Sequence, residues 1–111
     1  MAMNNELRLI GNIVKDPEVK ESESGGWAII RVAANTGKKD KEDTLFMDVK
    51  LFTSAYRDFE YHKLVKGDKV IISGQLKQSD YEDKDGNKRT SYALYADYVL
   101  KVSKQDKESS F

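Results

Sequence analysis

Phe46, Asp48, Lys50 and Phe52 stand at alternate positions of the segment from Thr44 to Phe52, the clearest period-two run in the sequence. In an extended strand such residues share one face, and Leu45, Met47, Val49 and Leu51 take the opposite, core-facing side. A phenylalanine left outward exposes apolar area whose burial would contribute roughly 1.5–3 kcal/mol. Something is therefore expected to cover this face, either a partner chain or a flat ligand. The pattern recurs on other segments. Trp27, Ile29, Arg31, Ala33 and Asn35 alternate with inward Ala28, Ile30, Val32 and Ala34; Ile71, Ser73, Gln75, Lys77, Ser79 and Tyr81 alternate with inward Val70, Ile72, Gly74 and Leu76. Interleaved rings and cations support a non-covalent chemistry. Each ring can stack on an unpaired base for about 1–3 kcal/mol, whatever the base, while lysine and arginine follow the phosphates. Paired bases are already stacked on each other and offer no such face.

Aromatic residues are also enriched at subunit interfaces, so that reading stays open for Phe46, Phe52 and Tyr81, and equally for Trp27 and Ile29. Tyr92, Tyr95 and Tyr98 read as partial core. Lys38, Lys39 and Lys41 fall in a charged loop from Thr36 to Asp43 that could clamp a backbone, but Asp40, Glu42 and Asp43 interrupt them. Lys84, Lys88 and Arg89 stand in the same way beside Glu82, Asp83 and Asp85.

Covalent chemistry has little to work with. The one histidine, His62, lies in a helical pattern that suits a solvated or capping role, and cysteine is absent. No HExxH, glycine-rich phosphate loop or nucleophile elbow occurs, and the carboxylates are scattered. A binder rather than an enzyme is expected, with no metal and no cofactor. Lysine plus arginine equal aspartate plus glutamate at 19 each, so net charge gives no pointer to nucleic acid and the placement of the cations must carry it. The absence of cysteine and of an apolar leader or membrane span favours a cytoplasmic setting.

The elements that must position these residues fit one domain of 111 residues. Strand patterning covers Glu6 to Lys15, Trp27 to Asn35, Thr44 to Phe52, Lys69 to Glu82 and Lys88 to Val102. The polar stretch from Glu18 to Gly26 reads as a hairpin connection. Thr53 or Ser54 is a candidate N-cap for a helix carrying Ala55, Tyr56, Phe59 and Leu64 and stopped by Gly67. Asp83 to Asn87 reads as a hairpin tip. Five strands with one helix between the third and fourth predict an all-β OB-fold, a Greek-key barrel, with Gly11 and Gly74 at its sharp bends. Residues 1–102 form this domain, and 103–111 a short flexible C-terminal tail.

Seven segments together resemble the bacterial and phage single-stranded DNA-binding protein (SSB) family across about residues 5–101. They are Asn5 to Asn12, Asp16-Pro17-Glu18, Phe46 to Phe52, Lys66 to Val70, Gly74-Gln75-Leu76, Tyr81 to Gly86 and Ala96 to Val99. The resemblance implies an OB-fold that wraps single strands without sequence preference in replication, recombination or repair. It also implies a homo-oligomer, a homotetramer with a dimer as the alternative, replication proteins as candidate further partners, and no membrane association. Carried over by position, Phe46, Phe52 and Tyr81 are the stacking aromatics, and Lys66, Lys77 and Arg89 the backbone-contacting cations. Trp27, Arg31, Lys38, Lys39 and Lys50 complete the expected DNA-binding set from the face and loop assignments.

The sequence departs from the family at several points. Lys38 stands near a position where the family stacks a ring, Ser79 and Asp80 occupy positions often basic, and Glu6 replaces a common basic residue. Weaker electrostatic attraction to DNA is expected. Glu108-Ser109-Ser110-Phe111 echoes the acidic, phenylalanine-ended tip with which cellular members recruit partners, without their long linker. The short chain is closer to a phage or mobile-element member, or to an isolated DNA-binding core. The alternative function is that of a primosomal-type OB-fold accessory protein, which bridges replication factors and binds DNA weakly.

Overall fold

Alternating apolar residues curl the chain into a closed barrel, described by a computed structural model at residues 4–23, 25–38 and 41–102. The strands are β1 (Leu7–Ile13), β2 (Glu18–Ser22), β3 (Gly25–Lys38), β4 (Lys41–Leu51), β5 (Lys69–Glu82) and β6 (Lys88–Lys101), with helix α1 (Thr53–His62) between β4 and β5. The sheet runs β1-β5-β6-β4-β3-β2, and a further pairing of β1 with β3, through Asn12 to Ala33 and Ile13 to Val32, closes a ring of five strands. β4 and β6 run parallel, Val49 beside Leu94 and Leu51 beside Ala96, while the other pairs are antiparallel. This is the predicted OB-fold.

The inward residues make one core. Ile13, Ile30, Val32, Val49, Leu51, Val70, Ile72, Leu94 and Val99 are fully buried. α1 lies across the barrel end made by β3, β4 and β6, burying Ala55, Tyr56 and Phe59, with Leu64 just beyond. Burial holds the Tyr56 hydroxyl above its ordinary pKa, and the nearby Glu60 and Glu21 carboxylates add to the effect. Closure brings backbones into contact at two glycines. A Cβ on Gly11 would strike the Ala33 carbonyl, and one on Gly74 would strike the Tyr95 carbonyl.

Several boundaries differ from the sequence expectation. The stretch read as a polar hairpin connection contains β2, paired with β3 from Glu18–Ile29 to Ser22–Gly25. As an added edge strand outside the ring it covers no core, so it carries no buried apolar row to betray it. The segment from Thr36 to Asp43, read as a loop, continues the β3–β4 ladder through Thr36–Asp43, Gly37–Glu42 and Lys38–Lys41. This ribbon runs past the barrel, where there is no core to demand an apolar row and a polar sequence is compatible with pairing. Thr44 Oγ1 donates to Asn35 Oδ1 across it at 3.2 Å. Leu45, assigned to the core, is 39% exposed for the same reason.

The helix ends also shift. Extended Phe52 takes the N-cap position without a side-chain cap bond, and Thr53 enters the helix at φ 47°, a strained conformation for a β-branched residue. Ser54 Oγ instead donates to the Asp97 carbonyl at 3.3 Å. The helix stops at Lys63, left-handed at φ 52°, before Gly67 is reached. His62 sits in its last turn with its ring edge-on to Tyr61, 5.1 Å between centroids. The tail at 103–111, with Phe111, lies outside the described residues.

Candidate nucleic-acid interface

Residues opposite one another across a ladder point to the same side of the sheet. The β3–β4 register places Ile29 beside Lys50, Arg31 beside Asp48 and Ala33 beside Phe46. The parallel β4–β6 register places Lys50 beside Tyr95, and the β5–β6 register adds Gln75 beside Tyr95, Lys77 beside Ala93 and Tyr81 beside Arg89. β2 contributes Lys20 opposite Trp27. Four barrel strands and the edge strand therefore present a single continuous face. Phe46, Phe52, Trp27, Arg31, Lys50, Lys77 and Tyr81 are brought onto it, as alternation predicted, and Arg89, expected only from the resemblance, joins them opposite Tyr81.

Its centre is a stack of three rings. Trp27 and Phe52 lie 5.1 Å apart between centroids at 19°, and Phe52 and Tyr95 lie 5.7 Å apart at 24°. Lys77 Nζ stands 4.5 Å, and Lys50 Nζ 5.4 Å, from the Tyr95 ring centroid. Phe52 thus has a neighbour against each of its faces, and the lysines hold positive charge over Tyr95, where attraction to the ring quadrupole favours it. Tyr95 was expected to be partial core and is a correction. Asp97 is left unpaired where the β5–β6 register skips between Ser73 and Gly74, which shifts the phase of alternation along β6. Tyr95 faces outward on one side of the skip and the buried Val99 inward on the other. Lys20 went unseen because its segment carried no strand signal.

The flanks hold the more open rings. Phe46 and Tyr81 are 51% and 52% exposed. The Arg31 guanidinium lies 5.6 Å from the Phe46 centroid and bonds Asp48 Oδ1 through Nη1 at 2.8 Å. Arg89 is paired as well, Nε donating to Asp83 Oδ2 at 2.9 Å. Asp83 Oδ1 accepts the backbone N–H groups of Asp85 and Asn87, both at 2.9 Å, and so folds the hairpin tip. Lys66 sits exposed outside the strands, in the turn between α1 and β5. Lys38 ends β3 at the ribbon tip, and Lys39 lies outside the described residues.

The Arg89 hydrogen bond, followed by the Asn87 N–H, holds the Asp83 carboxyl below its ordinary pKa. A depressed carboxyl stabilises the fold at pH values above its unfolded pKa, and that contribution is lost as pH falls through the folded one. The Asp85 and Asn87 amide resonances are therefore expected to stay in place until pH drops below the usual aspartate range, and then to shift together. A midpoint at or above that range would remove the Arg89–Asp83 pair as the cause.

Comparison with known proteins follows the geometry. The single-strand binding protein family model matches residues 4–102. Single-stranded DNA-binding protein 2 of Streptomyces coelicolor is 35% identical over 107 residues, which cover 89% of this chain and 53% of that protein. The single-stranded DNA-binding protein of Paenarthrobacter aurescens is 34% identical over 108 residues, 89% of this chain and 62% of its own. The chain spans about half the length of the curated relatives it matches. Among solved structures, the Plasmodium falciparum SSB complex with ssDNA superposes with a TM-score of 0.78 at 19% identity, over 93% of this chain and 98% of that one. The small single-stranded DNA-binding protein from Streptomyces coelicolor gives 0.73 at 21%, over 93% and 99%. These structures share the fold, and the resemblance drawn from residues 5–101 is borne out. Matched through the whole barrel from its first strand to its last, the chain belongs to the single-strand binding protein family.

Proposed function

We propose that the β3–β4–β5–β6 face binds single-stranded DNA without sequence preference and protects it during replication, recombination or repair. The observation that carries this reading is the Trp27–Phe52–Tyr95 stack, flanked by the open rings of Phe46 and Tyr81 and topped by Lys50 and Lys77. The open rings of Phe46 and Tyr81 offer faces to bases beside a stack already ordered in the free protein, and Lys50 and Lys77 bring positive charge there for the phosphates. The protein acts by binding alone. Labelled single-stranded and duplex DNA incubated with it and magnesium should remain uncut.

Titration with oligo(dT), read by the emission of the sole tryptophan, tests the proposal. Quenching with submicromolar, sequence-tolerant affinity is expected, and duplex DNA should compete poorly. Tyr81→Ala and Phe46→Ala should each weaken binding by about 1–3 kcal/mol while leaving the barrel folded. Lys77→Ala should flatten the salt dependence by about 0.7 in slope, the value of one single-strand phosphate contact. A slope identical to that of the unaltered protein would take Lys77 out of the footprint.

The pairing of Arg31 and Arg89 with aspartates gives the accessory-protein reading its own support, because fewer unpaired cations remain for phosphate. Weak oligo(dT) binding beside tight binding to a replication protein would establish that reading instead. A second copy of the chain is the proposed occupant of another face. The registers align Ile10 with Ile71 and Leu100, with Tyr98 one step along, on the outer side of β1, β5 and β6. Ile10, Leu100 and Tyr98 are 49%, 46% and 39% exposed. A homotetramer covering this patch is expected from the mass in solution, and a monomeric mass at micromolar concentration would refute it.

A further inference from the structure

Arg31 lies on the proposed DNA face, directly opposite Asp48 across the β3–β4 ladder. The two side chains form a 2.8 Å ion pair, 39% and 47% exposed, so solvent and an incoming anion can reach both. The guanidinium also lies over the Phe46 ring, one of the two most open aromatic platforms on the face. An acid in the middle of a surface that attracts phosphate is costly unless it has a use.

We propose that Asp48 is an internal stand-in for DNA phosphate: it holds Arg31 over Phe46 in the free protein and yields the guanidinium to a phosphate when a strand binds. The inference rests on the single-strand reading of this face. Carboxylate and phosphate oxygens are equivalent acceptors for the planar guanidinium fork, so one replaces the other without a change in the donor's geometry. The exchange has two consequences. Displaced Asp48 becomes an unpaired carboxylate close to the DNA backbone, which lowers affinity. It also recruits a cation from solution, which offsets the counterion released from the newly contacted phosphate and shrinks the salt dependence of binding. Asp48 thereby tunes how tightly, and with what salt response, the face grips a strand. Arg89 and Asp83 repeat the pairing at the hairpin, but Asp83 also accepts the Asp85 and Asn87 amides. Its removal would disturb the turn, which makes Asp48 the cleaner position to change.

The test is a cycle of the unaltered protein, Asp48→Asn, Arg31→Ala and the double variant, titrated with oligo(dT) across a salt series. Circular dichroism and a thermal melt confirm folding of each, with Asp48→Ser as the replacement if Asn disturbs the strand. Asp48→Asn should bind about two- to fivefold tighter at low salt, the range set by an exposed ion pair. Its salt slope should steepen by about 0.7. In the Arg31→Ala background the slope change should vanish, because no guanidinium remains to be exchanged, while the affinity gain from removing an unpaired carboxylate beside the backbone should remain. A slope change that persists there would reduce Asp48 to a repelling charge and overturn the proposal. Unchanged or weaker binding by Asp48→Asn would overturn it as well. Failure of the unaltered protein to bind oligo(dT) would sink the single-strand reading itself, and this inference with it.

Discussion

Phe52→Ala is expected to weaken oligo(dT) binding by about 1–3 kcal/mol, through the two rings it orders rather than through a base on its own covered faces. The reason is its place in the stack. Phe46 and Tyr81 are the proposed flanking platforms, and the loss of either is expected to remove one contact. Phe52 stands between Trp27 and Tyr95, at 5.1 and 5.7 Å, so its removal also withdraws the neighbour that orders two other rings. Each aromatic pair contributes about 0.5–1.5 kcal/mol beyond burial, and both pairs disappear together. The variant should therefore show coupling that the flanking variants lack. In a double-mutant cycle, Trp27→Ala should cost less in the Phe52→Ala background than in the unaltered protein. Trp27 is the only tryptophan, so its emission in the DNA-free protein reports the same event. A red shift on removing Phe52 is expected as the indole meets water. Additive losses with an unshifted spectrum would show three independent rings rather than one platform.

The sequence disclosed the barrel because closure depends on inward rows of Val, Ile and Leu, and such rows are visible wherever a strand covers the core. Val49 and Leu51 on β4, and Val70 and Ile72 on β5, are buried as their alternation required. The signal fades where strands leave the barrel. β2 and the far end of the β3–β4 ribbon pair outside the barrel with a mostly polar sequence, and a polar strand looks like a loop in composition. The same logic explains the site. Phe46, Lys50 and Phe52 were legible because β4 keeps one phase from end to end, and Lys77 and Tyr81 because β5 does. Tyr95 was hidden by the skipped residue on β6, which only the partner strand reveals. Ion pairs such as Arg31–Asp48 were beyond the sequence for another reason. They need the cross-strand register, and register is fixed by closure of the whole ring rather than by either strand.

That closure makes the second large prediction one of stability. Gly74→Ala should lower the unfolding free energy by about 1–3 kcal/mol, as overpacking in a closed structure does, although the change adds only a methyl group. At Gly74 the β5–β6 register skips, from Ser73 opposite Tyr98 to Gly74 opposite Ala96. The added Cβ would meet the Tyr95 carbonyl and the Ala96 Cα, and both are backbone atoms. A flexible side chain could swing aside; here two strands must separate, and the parallel β4–β6 seam that pairs Leu51 with Ala96 is strained with them. The effect reaches the proposed DNA face, because the residue pushed is Tyr95, the end of the ring stack. Urea denaturation should show a lower midpoint with an unchanged slope, since the surface exposed on unfolding is nearly the same. Oligo(dT) binding by the folded fraction should weaken alongside it. Gly11→Ala tests the other side of the ring, where β1 meets β3 at the Ala33 carbonyl, and should destabilise without touching the Trp27–Phe52–Tyr95 stack. If Gly74→Ala kept both its urea midpoint and its affinity, the skipped residue on β6 would not be what sets Tyr95 against Phe52.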